Sequence, residues 1–372
     1  MLTVCWEGEL DHDSPTLGLP VLGTGQVTRL YTASEETGTY SHHSYITWHN
    51  GLLVATWSSH LRDEDAPGQR VLMSWSADVG RTWAPWQELF EPHDQVKRRA
   101  EHDPDEDRVL IPNGFAVVDG ALYAVAEVHV MAGRRGFGRI ARRMDDGDTW
   151  GPAFWTRTHP PAPRPGFARL MDPSDPAILP VAEAINAWLA RPEHMPSWEF
   201  LHHTCHPKAG DGHRMCEPTQ GWQLPDGTWV QLLRDLGVPG PEARASRSFR
   251  NYARFSRDDG VTWTPAVRTD VPDAASRSAV CTLPDGTVAL INNPGTGRDP
   301  LVLSLSADGL RFDRHAVIAQ GAPPGRFKGT AKNPGFQYPA AVVVEDQLLV
   351  MYSVNKEDVE VMRIPVASLG AI

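Results

Sequence analysis

SADVGRTW (76–83) returns as RMDDGDTW (143–150) and as SRDDGVTW (256–263), and in shortened form as SADGLRF (306–312). In the first copy Asp78 can accept bonds from backbone amides two residues on, as in an Asx turn. Gly80 can take a positive φ, and Trp83 brings a large apolar surface to the start of the next strand. Asp145, Gly147 and Trp150, and Asp258, Gly260 and Trp263, repeat these roles. The spacing predicts a structural staple that holds a tight turn, with no part in catalysis.

Working outward, five stretches pair two apolar runs about a tight turn: YITWHNGLLVATW (45–57), FAVVDGALYAVA (115–126), GWQLPDGTWVQLL (221–233), AVCTLPDGTVALI (279–291) and AAVVVEDQLLVMY (340–352). Asn-Gly or Asp-Gly between alternating apolar residues is a strong hairpin signal. Four of the five are followed by a copy of the staple. Hairpin, third strand, turn and fourth strand make a four-stranded antiparallel sheet, and its repetition predicts an all-β fold, a β-propeller. The doubled interval between the turns near 120 and 225 leaves room for one degenerate blade, so the repeat count is six. The chain reads as one domain, 1–372. Helical spacing of Val181, Ile185, Trp188 and Leu189 predicts a short helical insertion over about 172–192.

A net charge of −11 argues against nucleic acid and anionic membrane as partners, while leaving room for a basic pocket that takes an acidic ligand. No window approaches the ~18 apolar residues of a membrane span. The N-terminus MLTVCWEGELDHD lacks the pattern of a signal peptide, so a cytoplasmic location is expected. Composition does not address oligomeric state.

A propeller brings the first strand of each blade to its axis, so residues six to nine positions before each hairpin turn are the site candidates: His42 and His43, Asn113, Glu217, Arg277 and Tyr338. Strand alternation predicts that only one of the two histidines faces the channel. Arg298-Asp299 and Lys356-Glu357-Asp358 read first as internal salt bridges. A separate cluster, HHTCHPKAGDGHRMC (202–216), is dense in metal-competent side chains. Cys205, His206, His213 and Cys216 could hold a structural zinc ion; the competing readings are a Cys205–Cys216 disulfide and a His-rich loop. No catalytic cofactor is expected.

The staple repeats resemble the sialidase superfamily of propellers. True sialidases carry Arg-Ile-Pro on the first strand, a triad of arginines, and a tyrosine/glutamate pair with an acidic aspartate; here Arg-Ile-Pro stands at Arg363–Pro365 instead. YSHHSYITW (40–48), EDAPGQRVLMSWSADVGRTW (64–83), CEPTQGWQLPDGTWVQLLRD (216–235), GRDPLVLSLSADGLRF (297–312) and NPGFQYPAAVV (333–343) with YSVNKEDVEV (352–361) are similar to ulvan lyases and rhamnosyl-glucuronate lyases, with their α-L-rhamnosidase-like relatives. That resemblance implies seven blades, and a polysaccharide or oligosaccharide lyase that cleaves at a uronic acid by β-elimination. It implies His42, with His43 as alternative, as the catalytic histidine, joined by Tyr338 and Arg277. It implies that arginines and tyrosines of other blades, here Arg234, Arg250 and Tyr252 with Arg277 and Tyr338, bind the uronate, and that the partner is an acidic oligosaccharide or polysaccharide; Asn113, Glu217, Arg298 and Lys332 are further substrate-binding candidates. Elimination needs a cation to neutralise the carboxylate and a base to take the C5 proton. A glycoside hydrolase on the same fold and a non-catalytic carbohydrate-binding propeller are the alternatives.

Overall fold

A computed structural model describes residues 2–90, 108–130, 135–146, 149–158, 174–194 and 209–372. The N-terminal segment contributes β1 (Cys5–Trp6) and β2 (Gln26–Tyr31). Blade 1 is β3 (Tyr40–His49), β4 (Leu52–His60), β5 (Arg70–Ser76) and β6 (Gln87–Phe90). Blade 2 is β7 (Arg108–Val118), β8 (Ala121–Val130) and β9 (Arg135–Asp146), with β10 (Thr149–Trp150) and β11 (Phe154–Thr158) both paired to β9. Helix α1 (Leu179–Ala190) follows and packs on β7 and β11. Blade 3 is β12 (Arg214–Cys216) and β13 (Trp222–Gln223), both on β14 (Trp229–Gly237), then β15 (Arg250–Ser256) and β16 (Val267–Pro272). Blade 4 is β17 (Ala279–Thr282), β18 (Val288–Asn292), β19 (Leu301–Ser306) and β21 (Arg314–Ala319); the short β20 (Arg311–Phe312) between the last two pairs with β1 instead. Blade 5 is β22 (Phe336–Val344), β23 (Gln347–Val354) and β24 (Asp358–Pro365), completed by β2 from the other end of the chain.

The described residues therefore form five blades, which corrects the six of the repeat count and the seven of the family resemblance. The long interval that suggested another blade carries α1 instead, within the range expected for the insertion. Apolar residues fill the spaces between blades. One cluster joins Leu53, Ala55 and Leu72 of blade 1 to Leu349, Met351 and Val361 of blade 5. Another joins Val54 and Met73 to Leu122 and Ala126 of blade 2. No described helix is long and apolar enough to cross a membrane.

The staple forms as read, with one difference. Asp78 Oδ1 takes the Thr82 amide four residues on at 2.8 Å and the Ser76 hydroxyl at 2.8 Å, while Oδ2 takes the Thr82 hydroxyl at 2.7 Å. Asp258 repeats this with Thr262 and Ser256. A Cβ on Gly80 would stand 2.8 Å from Leu349 of blade 5, so the loop is pressed against its neighbour and only glycine fits. In the RMDDGDTW copy, Gly147 lies outside the described residues.

Candidate functional site

The inner strands are broken at one common level. Pairing slips between His42 and Tyr45 opposite Ser58 and Thr56, between Pro112 and Phe115, and between Gln337 and Ala340. Each slip is a β-bulge, one extra residue on the inner strand. The backbone there is left-handed: φ is 53° at His43, 90° at Gly114 and 50° at Tyr338. Glu217, with φ 47°, separates β12 from β13, and Ala275, with φ 53°, precedes β17. All five blades thus carry one such residue on their inner side. For a non-glycine side chain this conformation costs about 1–3 kcal/mol, and such strain gathers at functional sites.

The bulges decide which side chains meet. Alternation fails at His43, so both histidines join one cluster, which corrects the expectation that one would turn away. Their ring centroids are 4.7 Å apart, and Tyr338 stands 4.0 Å from His42 and 5.5 Å from His43. On the other side of Tyr338, Arg234 Nη1 donates to the tyrosine oxygen at 2.7 Å and to Glu217 Oε2 at 2.7 Å. Burial favours a neutral Glu217, but the Arg234 charge and hydrogen bonds from Arg234 and Tyr338 outweigh it and hold the carboxyl below its usual range. Burial pushes the Tyr338 hydroxyl well above the ordinary tyrosine range, with Arg234 opposing it.

Cations ring this centre. Arg298 lies 5.3 Å over the Tyr338 ring and bonds the Gln337 side-chain oxygen. Arg277 is buried and lies 4.3 Å over the Tyr45 ring, and no described carboxylate is ion-paired to it. Lys356 bonds Glu64 across the joint between blades 5 and 1. Glu64 Oε1 accepts from the Tyr40 hydroxyl at 3.1 Å and faces His43 Nε2 at 3.6 Å and His42 Nε2 at 3.9 Å. Burial drives the His42 pKa well below 6.5 and the His43 pKa down to about 4, so both imidazoles are neutral at neutral pH. Asp273 is buried nearby, and desolvation raises its carboxyl to about 7.

The remaining candidates lie elsewhere. Asn113 is fully buried and donates to Glu127 within blade 2 at 3.1 Å. Tyr252 bonds Asp211 at 2.8 Å, and Arg250 is exposed and bonds its neighbour's carbonyl. Lys332 donates to the Thr39 carbonyl and pairs with Glu357 at 3.7 Å. Glu357 and Asp358 also pair with Arg326, so that run is ion-paired as read. Arg298 and Asp299 do not pair with each other: the Asp299 carboxylate takes the Gly321 and Ala322 amides. Of the suggested zinc ligands, Cys205 and His206 lie outside the described residues. His213 Nδ1 bonds Asp235 at 2.9 Å, and Cys216 is a buried free thiol.

Sequence reasoning missed Glu64, Lys356 and Asp273. Glu64 sits in the loop after β4, away from the axial positions searched. Lys356 was read only as part of an ion pair. The adjacent acids of EDAP (64–67), unneeded by a hairpin turn, were the available signal.

Comparison with known proteins agrees with this architecture. Residues 178–351 match the BNR repeat-like domain. No curated protein matches the sequence. Among solved structures, a sialidase superposes with a TM-score of 0.77 at 22% identity, over 98% of this chain and 35% of its own. Trypanosoma rangeli sialidase in complex with 2,3-difluorosialic acid, described as a covalent intermediate, gives 0.55 at 12% identity over 95% of this chain and 60% of its own. A protein of unknown function from Dyadobacter fermentans gives 0.55 at 12% identity over 92% of this chain and its whole length. The chain thus spans about a third of the first sialidase, 35%. The chain therefore has a β-propeller fold like that of these sialidases, and residues 178–351 of it match the BNR repeat-like domain.

Proposed function

We propose that this protein is a carbohydrate-active enzyme that cleaves the glycosidic bond of a sugar bearing a carboxylate, with Tyr338 as the group that acts on the sugar. The observation that carries this reading is the buried meeting of Tyr338, Arg234 and Glu217, beside an Arg277 guanidinium with no described carboxylate partner. A guanidinium fork matches a carboxylate in a bidentate way, and in a buried site that bond fixes the sugar's orientation.

The chemistry favoured is displacement. The ionised Glu217 accepts the Tyr338 proton as the phenolic oxygen attacks the anomeric carbon, and Arg234 stabilises the charge that develops on both. The leaving sugar oxygen departs from that carbon with a proton, and water later releases the glycosyl group, restoring the tyrosine. A tyrosine nucleophile belongs to the sialidase exception among glycosidases, and the structural likeness to a sialidase caught as a covalent intermediate supports the assignment. Asp273, protonated up to about pH 7, and Lys356 are the proton-bearing groups near the centre.

A second reading has its own support: β-elimination at a uronate, as in the lyases the sequence resembles. It draws on the two neutral imidazoles beside Tyr338, with His42 or His43 moving the C5 proton. His42 is fully buried beneath the Tyr338 ring, which makes His43 the better placed of the two. The two chemistries differ in product. Elimination leaves an unsaturated uronate that absorbs in the ultraviolet; displacement leaves a saturated reducing sugar. Digestion of sialosides, uronic-acid oligosaccharides and neutral glycosides, read by reducing ends and by ultraviolet absorbance, separates them. Reducing ends without absorbance support displacement, absorbance supports elimination, and cleavage of neutral glycosides alone refutes both.

A further inference from the structure

Two serines fix which atoms of the paired histidines are free. The Ser58 hydroxyl donates to the His42 carbonyl at 3.1 Å, and the Ser353 hydroxyl points to the Gln337 carbonyl at 3.5 Å. A hydroxyl carries one proton. Ser58 Oγ, 2.8 Å from His43 Nδ1, therefore accepts, and that Nδ1 carries the imidazole proton; Ser353 Oγ stands 2.8 Å from His42 Nδ1, and the same arrangement there places the His42 proton on Nδ1 when Ser353 donates to Gln337. In this arrangement both Nε2 atoms are left with a lone pair. They face Glu64 Oε1, at 3.6 Å from His43 and 3.9 Å from His42, and one ligand atom from each of the three residues lies within 4.8 Å of the others. His42 Nε2 is buried with no hydrogen-bond partner. Three acceptors aimed at one point repel each other unless something positive lies between them.

We propose that His42 Nε2, His43 Nε2 and Glu64 Oε1 bind a divalent transition-metal cation of the zinc class. Two imidazoles and one carboxylate suit zinc and its neighbours. Tetrahedral bonds of about 2.0–2.1 Å place ligand atoms roughly 3.3–3.4 Å apart, so the two histidine–carboxylate separations, 3.6 and 3.9 Å, need to close by a few tenths of an ångström, while the two histidines are bounded only by the 4.8 Å that spans the group. The outer contacts are those of a metal centre. Ser58 and Ser353 fix the tautomer and tilt of each ring, while Tyr40 and Lys356 hold the carboxylate from behind. Lys356 takes Glu64 Oε2, and Oε1, which accepts from the Tyr40 hydroxyl, keeps its second lone pair for the cation. Lys356, Arg298 and Arg277 oppose positive charge here, and Glu64, Asp65 and Glu217 offset them. The left-handed turn at His43 has a purpose on this view: without the bulge, neighbouring histidines on a strand point to opposite faces and cannot share an ion. Three protein ligands leave at least one position for a small molecule. The site shares no residue with the Cys205–Cys216 stretch and does not depend on the reaction proposed above.

Cobalt(II) tests it in the full-length protein after chelator treatment. The expected result is one equivalent of bound cobalt with visible d–d bands and no thiolate charge-transfer band. Glu64→Gln and His43→Gln, each checked for native circular dichroism and melting, should weaken binding by about tenfold or more. Glu64→Gln keeps the side-chain shape and serves if the buried histidine variant does not fold. Absence of cobalt bands in folded wild type overturns the proposal. Binding unchanged by both folded variants overturns it too, as does a spectrum dominated by thiolate charge transfer.

Discussion

Tyr338 occupies a position that a tyrosine enters at a cost: left-handed backbone, a nearly buried ring, and a hydroxyl shared with a mostly buried arginine. Packing alone does not require this, since an apolar side chain could fill the same space without a buried hydroxyl to satisfy. Tyr338→Phe removes one oxygen and keeps the ring against His42. It should lower turnover by about 10²–10⁴, the scale of a displaced catalytic proton or nucleophile, with the melting temperature nearly unchanged. Arg277→Ala should act through binding, raising KM for carboxylate sugars by roughly tenfold or more, because a hydrogen bond to a charged group is worth about 1.5–3 kcal/mol. Neutral analogues should be unaffected. Asp273 gives a signature in stability. Its folded-state pKa, raised by burial to about 7 from 3.8, means that the folded chain holds this proton more tightly than the unfolded one. The stabilisation is full below the unfolded value and is lost as pH rises through about 7. Asp273→Asn, neutral at every pH, should remove that loss in melting curves between pH 4 and 8; an unchanged pH profile would show that Asp273 does not titrate as described.

At the scale of elements, the staple was legible because its bonds are local. Ser76, Asp78, Gly80 and Thr82 satisfy one another within seven residues, so their spacing is sufficient to read them. Asp78→Ala should lower stability by about 1 kcal/mol, the net scale of a mostly exposed hydrogen-bonded turn, with turnover per folded molecule unchanged. Loss of turnover in well-folded protein would give the staple a catalytic part. The bulges were not legible. An extra residue in β3, β7 or β22 is defined by the strand opposite, which a single sequence does not display, and the left-handed cost at His43 or Tyr338 is met by contacts from other blades. Counting back from each hairpin turn still found His42, His43, Glu217, Arg277 and Tyr338, since the distance along a strand from turn to axis is short and regular. It missed Glu64 and Lys356, which reach the centre from loops, where no period exists.

The whole molecule explains why the blade count failed while the fold class held. Repetition of hairpin and staple fixes the blade as a unit, but the interval between Gly120 and Pro225 contains, among the described residues, the rest of blade 2, a helix and the start of blade 3 with no further blade, and interval length does not distinguish a helix from a sheet. Closure was also invisible, because β2 (Gln26–Tyr31) pairs with β24 (Asp358–Pro365) from the opposite end of the chain: Arg29 reaches Asp358 at 3.3 Å and Glu360 at 2.7 Å. A chain lacking residues 1–31 should expose the β24 edge, aggregate and melt lower; an unchanged melting temperature would mean that the ring does not depend on this joint. Five blades so closed bring Glu217, Arg277, Tyr338 and the histidine pair from four separate sheets to one place, and the central claim is that this place cleaves acidic glycosides through Tyr338. The most direct measurement is turnover of wild type and Tyr338→Phe, side by side, on carboxylate-bearing glycosides and their neutral analogues. The account predicts cleavage of the acidic substrates by wild type and near-complete loss in the folded variant. Equal turnover by the two proteins, or no cleavage of any acidic glycoside by folded wild type, would contradict it.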